Sequence, residues 1–193
     1  MSETVGTIAG WRDLLRIDDP QERNDLSRAQ LEVLRWPNGV TCPRCGSSRT
    51  TIVASRGQID CRRCRYRFSV TSGTFLHDSA IPLWKWLVAV SLFVEADDGL
   101  PAHRLSATIG VSYKTAWSLG HRIRSALAGE VNGAVAPGPP VAGSYHQVSA
   151  RYLPAYEIER AWRERNRGNP DAFAAALRSL LRPNPERTAP SAG

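Results

Sequence analysis

The sequence predicts an α+β fold that is mostly α: a small β ribbon followed by a helix-turn-helix, a flexible linker and two C-terminal helices. Three observations lead to this prediction. Four cysteines form two C-x2-C pairs, at 42–45 and 61–64, among short β-type stretches bounded by turns. Apolar residues recur at helical spacing before and after these stretches. Residues 129–143 are rich in glycine and proline and show no periodicity, which is typical of a linker.

Residues 1–35 are predicted to form a helical lead-in. We expect the first ten residues to be frayed, a short helix over 11–17 and a longer helix over 21–35. Either Asp18 or Asp19 is placed to cap the longer helix, because a side-chain oxygen there accepts from the first unpaired N–H groups.

The region 36–75 is predicted to be a metal-binding ribbon. Strands are expected at 50–54, 58–60 and 66–70, with a hairpin tip at 56–57. Fifteen residues separate the two C-x2-C pairs, so two tight turns would aim four thiols at one point. Four thiolates suit tetrahedral zinc and leave no open position for a catalytic water, so the zinc would be structural. The predicted ligands are Cys42, Cys45, Cys61 and Cys64.

The four cysteines have two alternative interpretations. Four thiolates also hold iron in rubredoxin-like sites. A C-x2-C redox pair normally stands alone near a βαβ pattern, and that pattern is absent from this sequence. Zinc is therefore the preferred metal.

The basic charge is concentrated around the cysteines. The formal net charge is +7, and residues 35–70 contain eight arginines and one acid, Asp60. Such a surface suits the phosphate backbone of DNA, especially where bound metal makes the backbone rigid. The predicted phosphate contacts are Arg44, Arg62, Arg63 and Arg65. The alternatives are a merely solvated basic surface and, for the arginine excess as a whole, codon bias in a GC-rich genome.

The region 76–128 is predicted to be helical and to bind DNA through a helix-turn-helix. A helix over 80–96 precedes helices over 101–109 and 113–127, which a turn containing Gly110 joins. The predicted core positions are Leu105, Ile109, Val111, Ala116, Leu119 and Ile123. The opposite face suits a DNA major groove and predicts contacts from Lys114, Thr115, Trp117, Ser118, His121 and Arg122. An ordinary helical hairpin is the alternative.

The C-terminal part is predicted to be a linker, two helices and a tail. The linker covers 129–143, the helical region covers 144–182, and 183–193 is expected to be disordered. The helices are expected over 152–167 and 171–182. Acids and arginines alternate along the first of them, which predicts a surface helix with many ion pairs.

Together these motifs resemble the bacterial insertion-sequence transposases that carry an N-terminal zinc ribbon before an Asp-Asp-Glu/Asn catalytic core. The similar segments follow one another in the family's order: 34–39, 42–46, 60–66, 68–74, 82–86 and 112–117. Residues 143–149 and 152–153 resemble the segment that follows the last catalytic position, and 163–169 is similar too. The resemblance implies binding to transposon-end DNA.

The catalytic core that the resemblance implies is missing from this sequence. A ribonuclease-H-like core needs on the order of 100 residues. Residues 128–142 number fifteen and contain one acid, Glu130, whereas two-metal phosphoryl transfer needs several converging carboxylates. We therefore predict no catalytic residues and a DNA-binding protein that is an internally deleted transposase. The alternatives are a working transposase, a zinc-ribbon transcriptional regulator and a ribbon that binds protein.

The predicted partner is double-stranded DNA at transposon ends, with no membrane partner, and self-association is left open. The longest apolar stretch, 87–94, is too short to span a bilayer, and no targeting segment is visible. We expect a cytoplasmic, nucleoid-associated protein. Reducing surroundings there favour a metal site over disulfides.

Overall fold

The computed structural model describes residues 11–53, 57–96, 99–131 and 149–184, and within them the fold is mostly helical with one small sheet. The predicted α+β, mostly α, class is confirmed. The elements are α1 Trp11–Leu15, α2 Pro20–Arg35, β1 Thr50–Val53, β2 Gln58–Cys61, β3 Arg67–Phe68, α3 Leu83–Glu95, α4 Ala102–Ile109, α5 Tyr113–Val131, a short 3₁₀ helix Ala150–Tyr152, α6 Leu153–Arg165 and α7 Ala172–Leu181. The frayed segment predicted for residues 1–10 lies outside the described residues.

The chain divides into two compact units. One contains the described residues up to Trp84 together with those from Leu181 onward, and the other is Lys85–Leu180. The second unit takes in most of both the predicted DNA-binding region 76–128 and the predicted C-terminal region 144–182. The sequence alone predicts these regions as separate parts, whereas in the structure an ion pair between Arg124 and Glu159 joins them.

Helix α2 begins and ends within one residue of its predicted bounds. Asp19 is its cap, because Oδ1 of Asp19 accepts from the backbone N–H of Gln21 at 2.8 Å, and Pro20 occupies the first turn. Leu31 is fully buried on the apolar side of this helix.

The ribbon is a three-stranded antiparallel sheet in the order β1-β2-β3. Its register aligns Ile52 with Ile59 and Ile59 with Phe68, so one row of the sheet is apolar. Ile59 and Phe68 are buried in a small core that includes two of the cysteines. Partly buried Trp36, Val40 and Tyr66 also pack against it. The third strand is shorter than predicted, since regular pairing covers only two of its residues.

Helix α3 is buried on more than the single face that its spacing predicts. The eight consecutive residues from 86 to 93 are all buried, including the large side chains of Trp86 and Phe93. A helix that is apolar around its circumference is a central core element. At its N-terminal end, the amide of Leu83 donates to Oδ1 of Asn24 at 2.8 Å.

Helices α4 and α5 lie where the sequence predicts two helices joined by a tight turn. Gly110 adopts φ +61°, a left-handed conformation that glycine takes at little cost. Ser112 caps α5, because its Oγ accepts from the backbone N–H of Thr115 at 3.1 Å. Most of the predicted core positions are buried: Leu105, Ile109, Ala116, Leu119 and Ile123. Val111 is only partly buried.

Helix α5 continues to Val131, three residues into the predicted linker. Glu130 accounts for the extension. Its carboxylate accepts from Nε1 of Trp162 at 3.1 Å and from Oγ of Ser179 at 2.7 Å, and its carbonyl accepts from Arg165 at 2.7 Å. These bonds offset the cost of Gly129 in a helix, about 1 kcal/mol. The rest of the predicted linker lies outside the described residues.

Helices α6 and α7 confirm the two predicted C-terminal helices, but the prediction of a purely surface helix is wrong for Glu159. Its side chain is fully buried, and Oε2 lies 2.5 Å from Nε of Arg124 on α5. Arg163 donates to the other oxygen, Oε1, which also accepts from the amide of Leu100 at 3.3 Å. This buried charge cluster fastens α6 to α5.

The start of the predicted disordered tail is ordered. Pro183 forms an isolated antiparallel bridge with Thr74, and the amide of Asn184 donates to the carbonyl of Gly73 at 3.0 Å. Residues 185–193 lie outside the described residues. None of the described helices is long and apolar enough to cross a membrane.

Candidate metal centre and nucleic-acid interface

The first C-x2-C pair is held in a tight turn by two backbone hydrogen bonds. The amide of Gly46 donates to the carbonyl of Cys42 at 2.9 Å, and the amide of Cys42 donates to the carbonyl of Ser47 at 2.9 Å. Gly46 adopts φ +69°, a left-handed conformation that glycine takes at little cost. The turn brings both cysteines of the pair to the same end of the ribbon.

The second pair repeats the same backbone pattern. The amide of Arg65 donates to the carbonyl of Cys61 at 2.9 Å, and the amide of Cys61 donates to the carbonyl of Tyr66 at 3.0 Å. Arg65 occupies the position that Gly46 has in the first turn, and it adopts φ +58°. A side chain in this conformation costs about 1–2 kcal/mol. The second turn is therefore strained where the first is not.

The four sulfurs converge on one point. All four Sγ atoms lie within 4.8 Å of one another, with Cys42 to Cys64 and Cys45 to Cys61 both at 3.6 Å. In a regular tetrahedron with Zn–S bonds of about 2.3 Å, neighbouring sulfurs are about 3.8 Å apart. The two 3.6 Å distances lie close to this value, so the cluster fits one tetrahedrally coordinated ion. Four thiolate ligands make zinc the preferred metal.

The thiols of the cluster differ in acidity. Backbone N–H groups of Cys64 and Arg63 donate to the sulfur of Cys61 and, with the neighbouring thiols, lower the pKa of Cys61 to about 6. The backbone N–H of Tyr66 favours the Cys64 thiolate, but burial and the three neighbouring thiols outweigh it and raise the pKa of Cys64 to about 12. Full ionisation of four adjacent thiols is opposed by charge repulsion, which a divalent cation at their centre removes.

Replacing Arg65 with glycine is expected to stabilise the zinc-bound ribbon. Glycine adopts φ +58° without the steric cost that a side chain pays there. Part of this gain is lost because glycine gives the unfolded chain more conformational entropy. The free energy of unfolding should rise by roughly 0.5–1 kcal/mol. Thermal unfolding in the presence of zinc checks this. The reciprocal change, Gly46→Arg, should lower the midpoint. A lower midpoint for Arg65→Gly would show that the two turns are not equivalent.

The predicted phosphate contacts on the ribbon are all exposed. They are Arg44, Arg62, Arg63 and Arg65. Nε of Arg62 donates to Oγ1 of Thr51 at 2.7 Å, which orients its guanidinium, and Arg44 lies over the ring of Tyr66 at 5.8 Å. Among the described residues, none of the four has a carboxylate partner within salt-bridge distance. Their charge is therefore available to an anion.

Two other arginines of the basic segment are committed to internal contacts. Arg35 donates to the carbonyls of Val70 at 2.6 Å and Ser72 at 2.8 Å, and burial lowers its pKa to about 10. It ties the end of α2 to the chain that leaves the ribbon. Arg67 makes two hydrogen bonds to Asp60, at 2.7 and 3.3 Å. Arg49 is also exposed and adds a fifth available charge, which is absent from the contacts predicted from the sequence.

The predicted contacts on α5 separate into an exposed set and a packed set. Lys114 and Ser118 are exposed, and Thr115 is half-buried with its hydroxyl 2.8 Å from that of Ser112. Tyr113, at the first position of the helix, is 61% exposed and was not singled out from the sequence. An exposed aromatic beside a capping serine is the sequence feature that could have found it.

Trp117, His121 and Arg122 form the packed set. The rings of Trp117 and His121 lie 4.1 Å apart, and each lies 5.2 Å from the ring of Tyr152. Nε2 of His121 is buried and has no hydrogen-bond partner among the described residues. Burial, aided by the charge of Arg124, lowers the pKa of His121, so its ring is neutral at pH 7. Arg122 lies over the ring of Trp86 at 5.1 Å.

Comparison with known proteins shows what the ribbon is similar to. A transposase zinc-ribbon domain matches residues 25–67, which contain all four cysteines. The chain is a transposase-like zinc-ribbon protein. It is 33% identical over 100 residues to an uncharacterized protein in transposable element ISH50 of Halobacterium salinarum, over 50% of this chain and 33% of that protein. The transposase-like chain thus spans about a third of the length of the curated relative it matches. No solved structure matches it.

The comparison and the geometry agree on the metal site of this transposase-like chain. The matched ribbon places Cys42, Cys45, Cys61 and Cys64 so that they bind one metal ion, which confirms the prediction of structural zinc. The resemblance to insertion-sequence transposases that the motifs predict is confirmed as well.

Proposed function

We propose that this chain binds transposon-end DNA and lacks the strand-cleavage chemistry of a complete transposase. The observation that carries the proposal is the ribbon surface, where exposed arginines without acidic partners project from backbone that the zinc site holds rigid. The backbone N–H of Arg63 itself donates to the sulfur of Cys61. Guanidiniums mounted in this way suit phosphate oxygens, because little further ordering is needed on binding.

The two regions have different roles in this proposal. The ribbon, residues 36–75, holds phosphates, whereas the region 76–128 acts as a helix-turn-helix and presents the start of α5 to a major groove. Lys114 and Ser118 are the exposed side chains there that can donate to base edges, and Tyr113 lies beside them. Trp117 and His121 support this helix from the packed side.

The absence of cleavage rests on the sequence between the two matching parts. The fifteen residues 129–143 stand in the place of the expected core, and those beyond Val131 lie outside the described residues. Two acids close in sequence to the missing core already have partners. Glu130 accepts from Trp162 and Ser179, and Glu159 pairs with Arg124. Among the described residues, the four cysteines are the one group of three or more potential metal ligands. This supports a DNA-binding derivative over a complete enzyme.

DNA affinity is expected to fall steeply with salt concentration. Five exposed ribbon arginines lack an acidic partner among the described residues. Each phosphate that they neutralise adds about 0.9 to the slope of log affinity against log salt concentration, so the expected slope is roughly −4 to −5. Arg63→Gln should reduce the slope by about 1. Fluorescence anisotropy with labelled duplex over a salt series measures both quantities.

Two controls define this experiment. Arg178→Gln removes an equal charge from an exposed position on α7 and should leave the slope unchanged. Lys114→Gln with Ser118→Ala should reduce the preference for transposon-end over random duplex more than Arg63→Gln does. A salt-independent affinity would contradict the assignment of the ribbon surface, and equal loss of preference in both variants would contradict the division of roles.

We expect no cleavage of labelled transposon-end DNA by this chain with Mg²⁺ or Mn²⁺, because two-metal catalysis requires converging carboxylates. Gel electrophoresis of end-labelled duplex after incubation detects nicks. Nicking above background that is lost in Glu130→Gln, with zinc content unchanged, would show a catalytic site and contradict the proposal.

A further inference from the structure

A polar pocket lies at the corner between α6 and α7, within the unit Lys85–Leu180. Its volume is about 340 Å³. Its lining contains the apolar side chains of Val94, Ala96, Trp162 and Ala172 and the polar residues Arg160, Arg163, Glu164, Asn166, Arg167 and Asn169. Gly168 lies in the turn at this corner with φ +75°, and a Cβ there would meet no atom within 4 Å. The chain therefore bends around open space.

The lining has a positive excess. Arg160, Arg163 and Arg167 are spaced by three and four residues, so they follow one side of α6 and its C-terminal extension. Glu164 is the one acid that lines the pocket. Three guanidiniums and one carboxylate at a single concave site favour an anionic ligand.

The hydrogen bonds of the three arginines leave donors unused. Arg163 donates to Glu159 and, through Nε, to the carbonyl of Phe93 at 3.2 Å, so it is the anchored member. Arg160 donates to Glu164 from one terminal nitrogen at 2.8 Å, but its Nε is buried and has no partner among the described residues. A guanidinium with unused N–H donors favours a ligand that supplies hydrogen-bond acceptors. The side chain of Arg167 is exposed and makes no hydrogen bond or ion pair with the described residues.

We propose that this pocket binds a phosphate group, either a phosphodiester of nucleic acid or a small phosphate ester. A phosphate in the pocket accepts from the terminal nitrogen of Arg160 that Glu164 leaves unused, and it pairs with the exposed guanidinium of Arg167. Tetrahedral oxyanions accept several guanidinium hydrogen bonds at once, which a carboxylate on the same helix cannot match. The site uses none of the residues assigned above to DNA binding, so it stands or falls independently of that function.

Glu164 competes with the ligand in this arrangement. Its carboxylate lies 2.8 Å from a terminal nitrogen of Arg160 and would repel an incoming phosphate or give up this ion pair to it. Removing its charge should therefore tighten binding, whereas removing an arginine should weaken it. A mere surface ion pair between residues four apart predicts neither effect on a phosphate ligand.

The test follows the side-chain Nε–H resonances of ¹⁵N-labelled, zinc-loaded full chain during titration with inorganic phosphate at constant ionic strength. A saturable shift of the Arg160 resonance is expected, with no such shift when chloride replaces phosphate. Arg167→Gln should weaken phosphate binding by about five- to tenfold, since a charge-assisted contact is lost. Glu164→Gln should strengthen it, and Arg178→Gln, the matched charge control, should leave it unchanged.

A second arm distinguishes the source of the phosphate. The salt dependence of duplex binding is compared between the wild type, Arg167→Gln and Arg178→Gln. A slope reduced by about 1 in Arg167→Gln alone identifies a DNA phosphodiester as the ligand. An unchanged slope combined with saturable phosphate binding identifies a small phosphate ester. No saturable shift with phosphate in the wild type and no change of slope in Arg167→Gln would overturn the proposal.

Discussion

Replacing Cys61 with serine is expected to release the zinc and unfold the ribbon. The buried core of this ribbon contains little besides Ile59, Phe68 and two of the cysteines, so the metal supplies most of its folding free energy. Binding free energies at structural zinc sites of this type are about 10–16 kcal/mol, and that energy is folding energy. Elemental analysis should give about one zinc per wild-type chain and none per variant chain, with loss of the dispersed amide resonances of β1 to β3.

Arg62→Gln is the matched control, because it changes the neighbouring residue without touching a ligand. It should retain zinc and the ribbon fold, since Arg62 is exposed and its side chain bonds only to Thr51 among the described residues. Cobalt substitution gives an independent readout, because the ligand field of four thiolates differs from that of three thiolates and an oxygen. Full zinc occupancy in Cys61→Ser would exclude the four-cysteine site.

The metal site and the helix pair could be predicted because their determinants are local. Two C-x2-C pairs fix the turns that aim the sulfurs, and the backbone of each turn closes within six residues. The bend between α4 and α5 depends on Gly110 and on the cap at Ser112, which lie two residues apart in the sequence. Periodicity and turn chemistry carry such information directly.

The roles of Arg35 and Glu159 could not be predicted, because their partners are distant in sequence. Arg35 donates to carbonyls 34–37 residues away, and a backbone carbonyl acceptor leaves no mark in the sequence. Glu159 lies in a stretch where alternating charge is typical of a solvated helix. Its burial depends on Arg124, which occupies a position of α5 next to the predicted core. Charged residues at such positions are misjudged whenever they are paired in the interior.

Partners distant in sequence also explain why some of the predicted DNA contacts on α5 are packed inside the protein. A helical wheel separates the apolar side of this helix from its polar side, but it does not show that a later helix covers part of the polar side. Tyr152 and Tyr156 lie against His121, at ring distances of 5.2 and 5.8 Å. The base-reading surface proposed here is therefore the first turn and a half of α5, around Lys114 and Ser118.

Glu159→Gln is expected to destabilise the unit Lys85–Leu180 by about 3–5 kcal/mol, because removing one member of a buried charge cluster leaves the others uncompensated. The Glu159 side chain is fully buried, while the side chain of Arg124 is 4% exposed and that of Arg163 is 14% exposed. Without the carboxylate charge, Arg124 and Arg163 lose their shared counter-ion in an interior that solvates them poorly. Urea unfolding at saturating zinc, followed by circular dichroism of the helices, measures the loss. Urea is preferred because guanidinium chloride would screen the charges.

Glu157→Gln provides the control on the same helix, since it makes the same chemical change at a half-buried position and should alter stability by no more than about 0.5 kcal/mol. The double variant Arg124→Leu/Glu159→Leu should lose less than the sum of the two single leucine variants, because it removes both charges together. If Glu159→Gln unfolds at the same urea concentration as Glu157→Gln, the buried cluster does not fasten α6 to α5. The C-terminal helices would then be a separate part of the chain, as the sequence alone predicts, and the pocket at the corner of α6 and α7 would lose its anchored arginine, since Arg163 depends on the same carboxylate.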